Sequence, residues 1–355
     1  PTRRSSDLQR AEDIEFLYIP ARQEENVFIT AGQREGFLAV DPSLLSIETA
    51  CDFPIYVYVS TASRFVLLKA ENLPITRKQL QQVQSGGRRP FFVPRNFAGS
   101  LKLFAAQNLR ALAGNTDMDP ATRSRQTYAI SKTLLAGVFS PDADPGQMEE
   151  ASRCVGDALV DLIGTGREAL RHLILAESHD PGIYTHSLNI CVLGTALTHY
   201  LHTDWPREHL QDLAQGFLLH DVGKIDIPSE IWTKPDKLTA PELELVRKHP
   251  LYGFERIGKF EKMSEEARRV VLHHHERCDG SGYPFGLSIR EISEGARICA
   301  ILEPFDDLTS DRPYHKRVTV FQALQMMKEE GMQRYDFDLY KAFLSFFRDV
   351  SNPGY

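Results

Sequence analysis

From residue 120 onward nearly every segment repeats its apolar residues at helical spacing. A chain patterned in this way has to bury helix against helix. The spacing predicts helices over 121–139, 146–163, 167–177, 184–201, 207–222, 241–258, 264–277, 293–309, 319–330 and 337–349. Thr239 and Glu242 make a capping box at the start of one of them. The stretch PDADPG (141–146) is a loop, and no internal repeat or low-complexity tract occurs.

The first part of the chain reads as mixed α/β. IYVYVS (55–60) and RFVLLKA (64–70) are β-rich runs split by a short polar turn, a hairpin signal. RPFFVP (89–94) is a third strand, TRKQLQQVQSGG (76–87) a short helix closed by glycine, and residues 96–114 a longer helix stopped at Gly114. The basic, aromatic run GGRRPFFVPR reads as a strand entering a small sheet in preference to a nucleic-acid patch. No catalytic constellation lies here. The fold expected is α+β: a small α/β accessory domain over 9–115, connecting helices over 116–164, and an all-α domain beyond.

The net charge of −7 gives no global attraction for a nucleic-acid polymer or an anionic membrane. An acidic chain handling an anionic substrate has to concentrate positive charge locally. Five cysteines, an odd number with no CxxC pair, imply a reducing cytoplasm and not a disulfide framework. No apolar stretch approaches the ~18 residues of a membrane span, and no secretory signal is found. The most apolar candidate, 188–201, is broken by Asn189, Thr195 and His199. The first eight residues, PTRRSSDL, resemble the translation of a sequencing-library adapter, which would place the start of the protein's own sequence mid-gene near Gln9.

All twelve histidines lie between His172 and His315. His172, His179, His199, His202 and His209 lie in polar surroundings without an evident carboxylate partner, and read as surface or hydrogen-bonded residues. HDVGK (220–224) reads differently. His220 and Asp221 end the apolar run Phe217, Leu218, Leu219, where an ionised acid is costly unless paired or metal-bound. Glu303 interrupts the otherwise apolar ICAILEPF, and Asp306 shares its helix face three residues on. Imidazole and carboxylate donors without thiolates suit iron, manganese, nickel or zinc. A carboxylate able to bridge two ions suits in-line displacement at phosphorus. Lys224 and Arg312 are candidate phosphate partners.

HDVGKIDIP (220–228), KHP (248–250), HHERCDGSGYP (274–284) and LTSDRPY (308–314) together resemble the HD-GYP family. These are all-helical HD-superfamily phosphodiesterases of the bacterial second messenger cyclic di-GMP. The resemblance covers roughly 165–350. It implies metal ligands at His186, His220, Asp221, His249, His274 and His275, with an acid at Glu303, and Asp221 bridging two divalent ions, iron or manganese being favoured. It implies Asp221 and Lys224 as catalytic residues, with Lys224 holding phosphate or protonating the leaving group. Gly282, Tyr283 and Pro284 would wall the pocket, with Tyr283 stacking on a guanine. Asp306, Arg312 and Lys316 complete the expected substrate contacts.

Three departures stand out. The family has aspartate where this chain has Glu303. Members with a third metal carry glutamate four residues before the first histidine, where this chain has Gly182, so two ions are expected. His315, with Lys316 next, follows RPY in place of a basic residue. His273 is extra to the pattern and is left out of the site. The function expected is hydrolysis of cyclic di-GMP to pGpG, and on to GMP. The alternatives are a catalytically weak cyclic di-GMP receptor and an HD phosphohydrolase for another nucleotide. A homodimer or signalling partner proteins are the associations expected.

Overall fold

A computed structural model describes residues 29–30, 36–40, 44–45, 51–59, 64–79, 90–113, 115, 117–176, 183–232, 234, 237–311 and 316–351. The chain divides into two compact units, 1–104 and 105–355, the division falling within the helix α1 (Ala98–Ala113).

In the first unit five strands form one antiparallel sheet: β1 (Ile29–Thr30), β2 (Phe37–Val40), β3 (Ile55–Val59), β4 (Arg64–Lys69) and β5 (Phe91–Pro94), in the order β1-β4-β3-β5-β2. The three predicted strands are present. β1 and β2 were not expected, because two- and four-residue strands carry too little alternation to stand out. Cross-strand aromatic contacts close the sheet's core, with Phe37 and Phe65 stacked at 4.4 Å. The predicted helix at 76–87 is helical at 77–79, and its glycine-closed end lies outside the described residues, as do PTRRSSDL and the first four residues of GGRRPFFVPR.

The second unit is helical: α2 (Pro120–Val138), α3 (Pro145–Gly164), α4 (Arg167–Ala176), α5 (Ile183–Leu201), α6 (Arg207–Leu219), α7 (Ser229–Trp232), α8 (Ala240–Val246), α9 (His249–Ile257), α10 (Glu265–His273), α11 (Glu294–Thr309), α12 (Val320–Gly331) and α13 (Phe337–Ser351). α5 is apolar all round and is buried at every position from Thr185 to Thr198, as a helix at the centre of a bundle must be. It packs against α2, α6 and α11. Among the described residues no helix is long and apolar enough to cross a membrane. All five cysteines are free thiols.

Three predicted helices are shorter than their periodicity suggests, the 264–277 pattern among them ending at His273. The 207–222 pattern stops at Leu219, and a 3-10 turn over Val222–Asp226 follows. The 241–258 pattern splits into α8 and α9, because Pro250 cannot continue a helix from Val246 but fits the first turn of a new one. The capping box is present, with Thr239 N and Oγ1 both donating to Glu242.

The breaks after Leu219 and Val246 serve one junction. Gly223 lies so close to α9 that an added Cβ would sit 2.0 Å from His249 O and 2.3 Å from Gly253 N. Backbone on both sides leaves nothing that can yield. Gly223→Ala is therefore expected to cost about 3 kcal/mol or more. Gly164→Ala meets nothing within 4 Å and is expected to be neutral or stabilising by up to about 1 kcal/mol. Urea unfolding of the two variants checks the contrast.

Candidate metal centre

The end of α6 explains how two adjacent residues reach one place. His220 caps the helix, while Asp221 leaves helical geometry at φ −97° and ψ 6°, in the sparse bridge region where many active-site residues sit. On a continued helix the two side chains would diverge by about 100°.

Two groups of side chains converge there. His186, His220, Asp221 and Glu303 hold ligand atoms within 4.8 Å of one another, and so do Asp221, His249, His274 and His275. Asp221 belongs to both, and its oxygens divide between them. Oδ2 lies 3.4 Å from His220 Nε2 and 3.7 Å from His186 Nε2. Oδ1 lies 3.2 Å from His249 Nε2 and 3.8 Å from His274 Nε2. The donors come from α5, the ends of α6 and α10, the first residue of α9, and α11.

The backbone sets the tautomers. His220, His249 and His274 each donate Nδ1–H to the carbonyl three residues back, Phe217 O at 2.7 Å, Val246 O at 2.7 Å and Val271 O at 2.8 Å. A carbonyl only accepts, so Nδ1 carries the proton and Nε2 is left to face the site. His186 is held by carboxylates instead: Asp306 Oδ2 at 2.6 Å from Nδ1, Glu303 Oε1 at 3.0 Å from Nε2.

This donor set fits a pair of cations. His220 Nε2 and Asp221 Oδ1 are buried and make no well-angled hydrogen bond, although Glu303 Oε1 lies 2.7 Å from the first and His249 Nε2 3.2 Å from the second, and native proteins seldom leave such atoms poorly satisfied. His249 Nε2 and His274 Nε2 face each other at 3.0 Å, although both rings spend their Nδ1 protons elsewhere. A cation in each group would satisfy these atoms. His186, His220, Asp221 and Glu303 would hold one ion, and Asp221, His249, His274 and His275 the other.

The electrostatics of the two groups differ. Burial opposes charge on His186 and His220, yet Glu303 with Asp306, and Asp221 with Glu303, lift them to about 9 and about 10. Burial also opposes charge on Asp221, but Lys224 and His220 hold its carboxyl well below the usual range. In the second group burial dominates. It pushes His275 down to about 3, aided by His249, and His274 down as well.

Of the other expected site residues, Lys224 meets Asp221 Oδ2 through Nζ. Tyr283 stands beside the second group, its ring stacked on His275 at 4.6 Å. That face is not available to a guanine. Gly282 packs on the backbone of Glu276 and Arg277, and Pro284 is half-buried beside it. Asp306 requires correction as a substrate contact. It is buried, with Oδ2 on His186 and Oδ1 accepting from Asn189 Nδ2 at 2.8 Å, so it stands behind the site. Lys316 is exposed, 3.7 Å from Asp311. Arg312, His315, His179 and Gly182 lie outside the described residues.

Two of the histidines read as lacking partners have them. His202 Nε2 lies 2.5 Å from Glu294, and His209 Nε2 lies 3.0 Å from Glu266. Both acids sit at the starts of later helices, far off in sequence. His273 stays outside both groups, its ring edge-on to Phe285 at 6.0 Å.

Sequence reasoning assigned no role to three supporting residues. Tyr128 OH donates to Asn189 Oδ1 at 2.6 Å, extending the chain that runs through Asp306 to His186. Glu276, 1% exposed, accepts from Phe285 N at 2.7 Å and Leu287 N at 2.9 Å. Asn189, three residues after His186 on an apolar helix, was a readable signal. Tyr128 was not.

Residues 170–339 match the HD domain family, so the helical unit carries an HD domain. This match is consistent with the resemblance of the chain's motifs to the HD-GYP family. It is 39% identical to cyclic di-GMP phosphodiesterase PA4108 of Pseudomonas aeruginosa over 218 residues, 60% of this chain and 51% of that protein. It is 40% identical over 130 residues to the cyclic di-GMP phosphodiesterase response regulator RpfG of Xanthomonas campestris, covering 36% of this chain and 34% of that one. Against 3'3'-cGAMP-specific phosphodiesterase 2 of Vibrio cholerae it is 34% identical over 178 residues, 49% and 33% of the two chains. The chain thus spans about half or less of these curated relatives. Among solved structures, Bd1817, a HDG"Y"P protein from Bdellovibrio bacteriovorus, has the same fold, with a TM-score of 0.64 at 18% identity over 88% of this chain and 99% of that one.

The raised imidazoles give a signed expectation. Below about 9, His186 and His220 favour the protonated form, and a proton must leave before either nitrogen binds a cation. His274 and His275 are already neutral. Calorimetry of Mn(II) binding at pH 7, in buffers of different ionisation enthalpy, is expected to show up to two protons released from His186 and His220 and almost none from His274 and His275. Affinity at the group holding His186 and His220 is expected to rise with pH towards about 9.

Proposed function

We propose that this chain is a metal-dependent phosphodiesterase that hydrolyses cyclic di-GMP to pGpG, and on to GMP, with iron or manganese as its two ions. The observation that carries the reading is the division of Asp221's two oxygens between two imidazole groups. The names of two relatives support the substrate. Residues 165–350 are the proposed phosphohydrolase domain, 9–115 an accessory domain and 116–164 the helices between them, acting in the cytoplasm, as a homodimer or with signalling partners.

When bound, the two ions supply Lewis acidity towards a phosphate and acidify water. The protein's own groups do the rest. Five imidazoles and two carboxylates arrange the ions, and helix ends hold those side chains before substrate arrives, so little reorganisation remains. Lys224 Nζ, beside Asp221 Oδ2 and partly exposed, is the group proposed to meet a phosphate oxygen and to give a proton to the departing 3′-oxygen. Arg312 and Lys316 are proposed as further phosphate contacts. Gly282, Tyr283 and Pro284 wall the pocket on the side of the second group.

A second reading, another cyclic dinucleotide as preferred substrate, is favoured by the relative specific for 3'3'-cGAMP. A substrate panel decides between the two. A receptor without turnover would bind cyclic di-GMP and release no product across several metals.

With Mn(II) supplied, His220→Ala and Asp221→Ala are each expected to lower cyclic di-GMP hydrolysis by at least about 100-fold. Lys224→Met is expected to lower turnover by about 100-fold or more while leaving two ions bound. Product analysis by chromatography reads both. A His220→Ala protein as fast as wild type would overturn the proposal.

A further inference from the structure

Four of the five imidazoles around Asp221 have a hydrogen-bond partner behind the ring. For His220, His249 and His274 it is a carbonyl three residues back, and for His186 it is Asp306. Among the described residues His275 has none. Its ring instead lies on the phenol of Tyr283, with centroids 4.6 Å apart and planes 25° from parallel.

That phenol is itself held. Tyr283 N donates to His275 O at 3.2 Å. The buried Glu276 fastens the far side of the loop through Phe285 N and Leu287 N. Gly282 lies so close to the start of the loop that a Cβ would sit 2.3 Å from Arg277 N and 2.5 Å from Glu276 Cα. Only glycine permits that approach, and it places the next residue over His275. The Arg247 guanidinium, 5.6 Å from the centre of the same ring, adds a cation–π contact.

We infer that Tyr283 is a positioning residue for His275, fixing by ring stacking the one imidazole that lacks a hydrogen bond behind it. This rests on the two-ion reading above. A stack restrains rotation of the imidazole while leaving its nitrogens open. The aromatic face is what the role needs, and the hydroxyl is dispensable. Metal ligands depend on groups that orient them, and losing such a group costs about 10- to 100-fold in metal affinity.

The test is calorimetric titration of Mn(II) into metal-stripped wild type, Tyr283→Phe and Tyr283→Leu, with circular dichroism to confirm folding. Wild type and the phenylalanine variant are expected to bind two equivalents alike. The leucine variant is expected to keep one equivalent unchanged and to bind the other about 10- to 100-fold more weakly. Two unchanged equivalents in the leucine variant overturn the inference and leave the two-ion reading standing. A phenylalanine variant as weak as leucine also overturns it, because the hydroxyl would then be what matters. Wild type that takes up no Mn(II) sinks both. Should the leucine variant not fold, Glu276→Gln, which loosens the loop and keeps the ring, is expected to weaken the same equivalent, and unchanged binding there overturns the inference.

Discussion

A fully buried carboxylate shared between two groups of imidazoles governs this protein. Asp221 has no solvent exposure, and taking an isolated charge out of water costs several kcal/mol even after the protein relaxes. Lys224 offsets part of that cost on one oxygen. The other oxygen faces His249 and His274, both of which give their Nδ1 protons to the backbone. A carboxylate so placed is stable only if something positive stands between it and those rings. The centre is thus a place where the fold gives up stability, which cations bound between these groups would recover.

Much of the surrounding architecture follows from holding that carboxylate still. α6 must end at Leu219 for Asp221 to turn inward, and α9 must begin at His249 for its ring to face the same way. Gly223 lets those two segments touch through their backbones. α5 and α11 bring His186 and Glu303 from the other side. Asp306 and Asn189 then lock the His186 ring through a chain that reaches α2 at Tyr128. Glu303, longer by one methylene than an aspartate, reaches both His186 at 3.0 Å and His220 at 2.7 Å. The longer side chain spans the gap between the two rings.

The seven side chains of the two groups that share Asp221 stood out in the sequence because each is a costly residue in an apolar or motif context. Helix existence was legible from periodicity, and the breaks at 220 and 247 were less so. Pro250 announces one of them, whereas the other rests on Gly223, whose tight contact with α9 is not written in the local sequence. Asp306 was correctly seen to face inward, but its partner is a ring 120 residues away, and spacing alone cannot separate a residue that meets substrate from one that supports a ligand. His202 and His209 were misread for the same reason, since Glu294 and Glu266 reach them only through tertiary packing. Tyr283 drew attention through its glycine and proline neighbours, and its contact with His275 comes from the path of the loop.

Anomalous diffraction from crystals grown without oxygen and loaded with Mn(II) would test the central claim most directly. Two peaks about 3.5–4 Å apart, one within bonding distance of each oxygen of Asp221, are the result this account requires. A single peak, or a pair that does not flank Asp221, would contradict it.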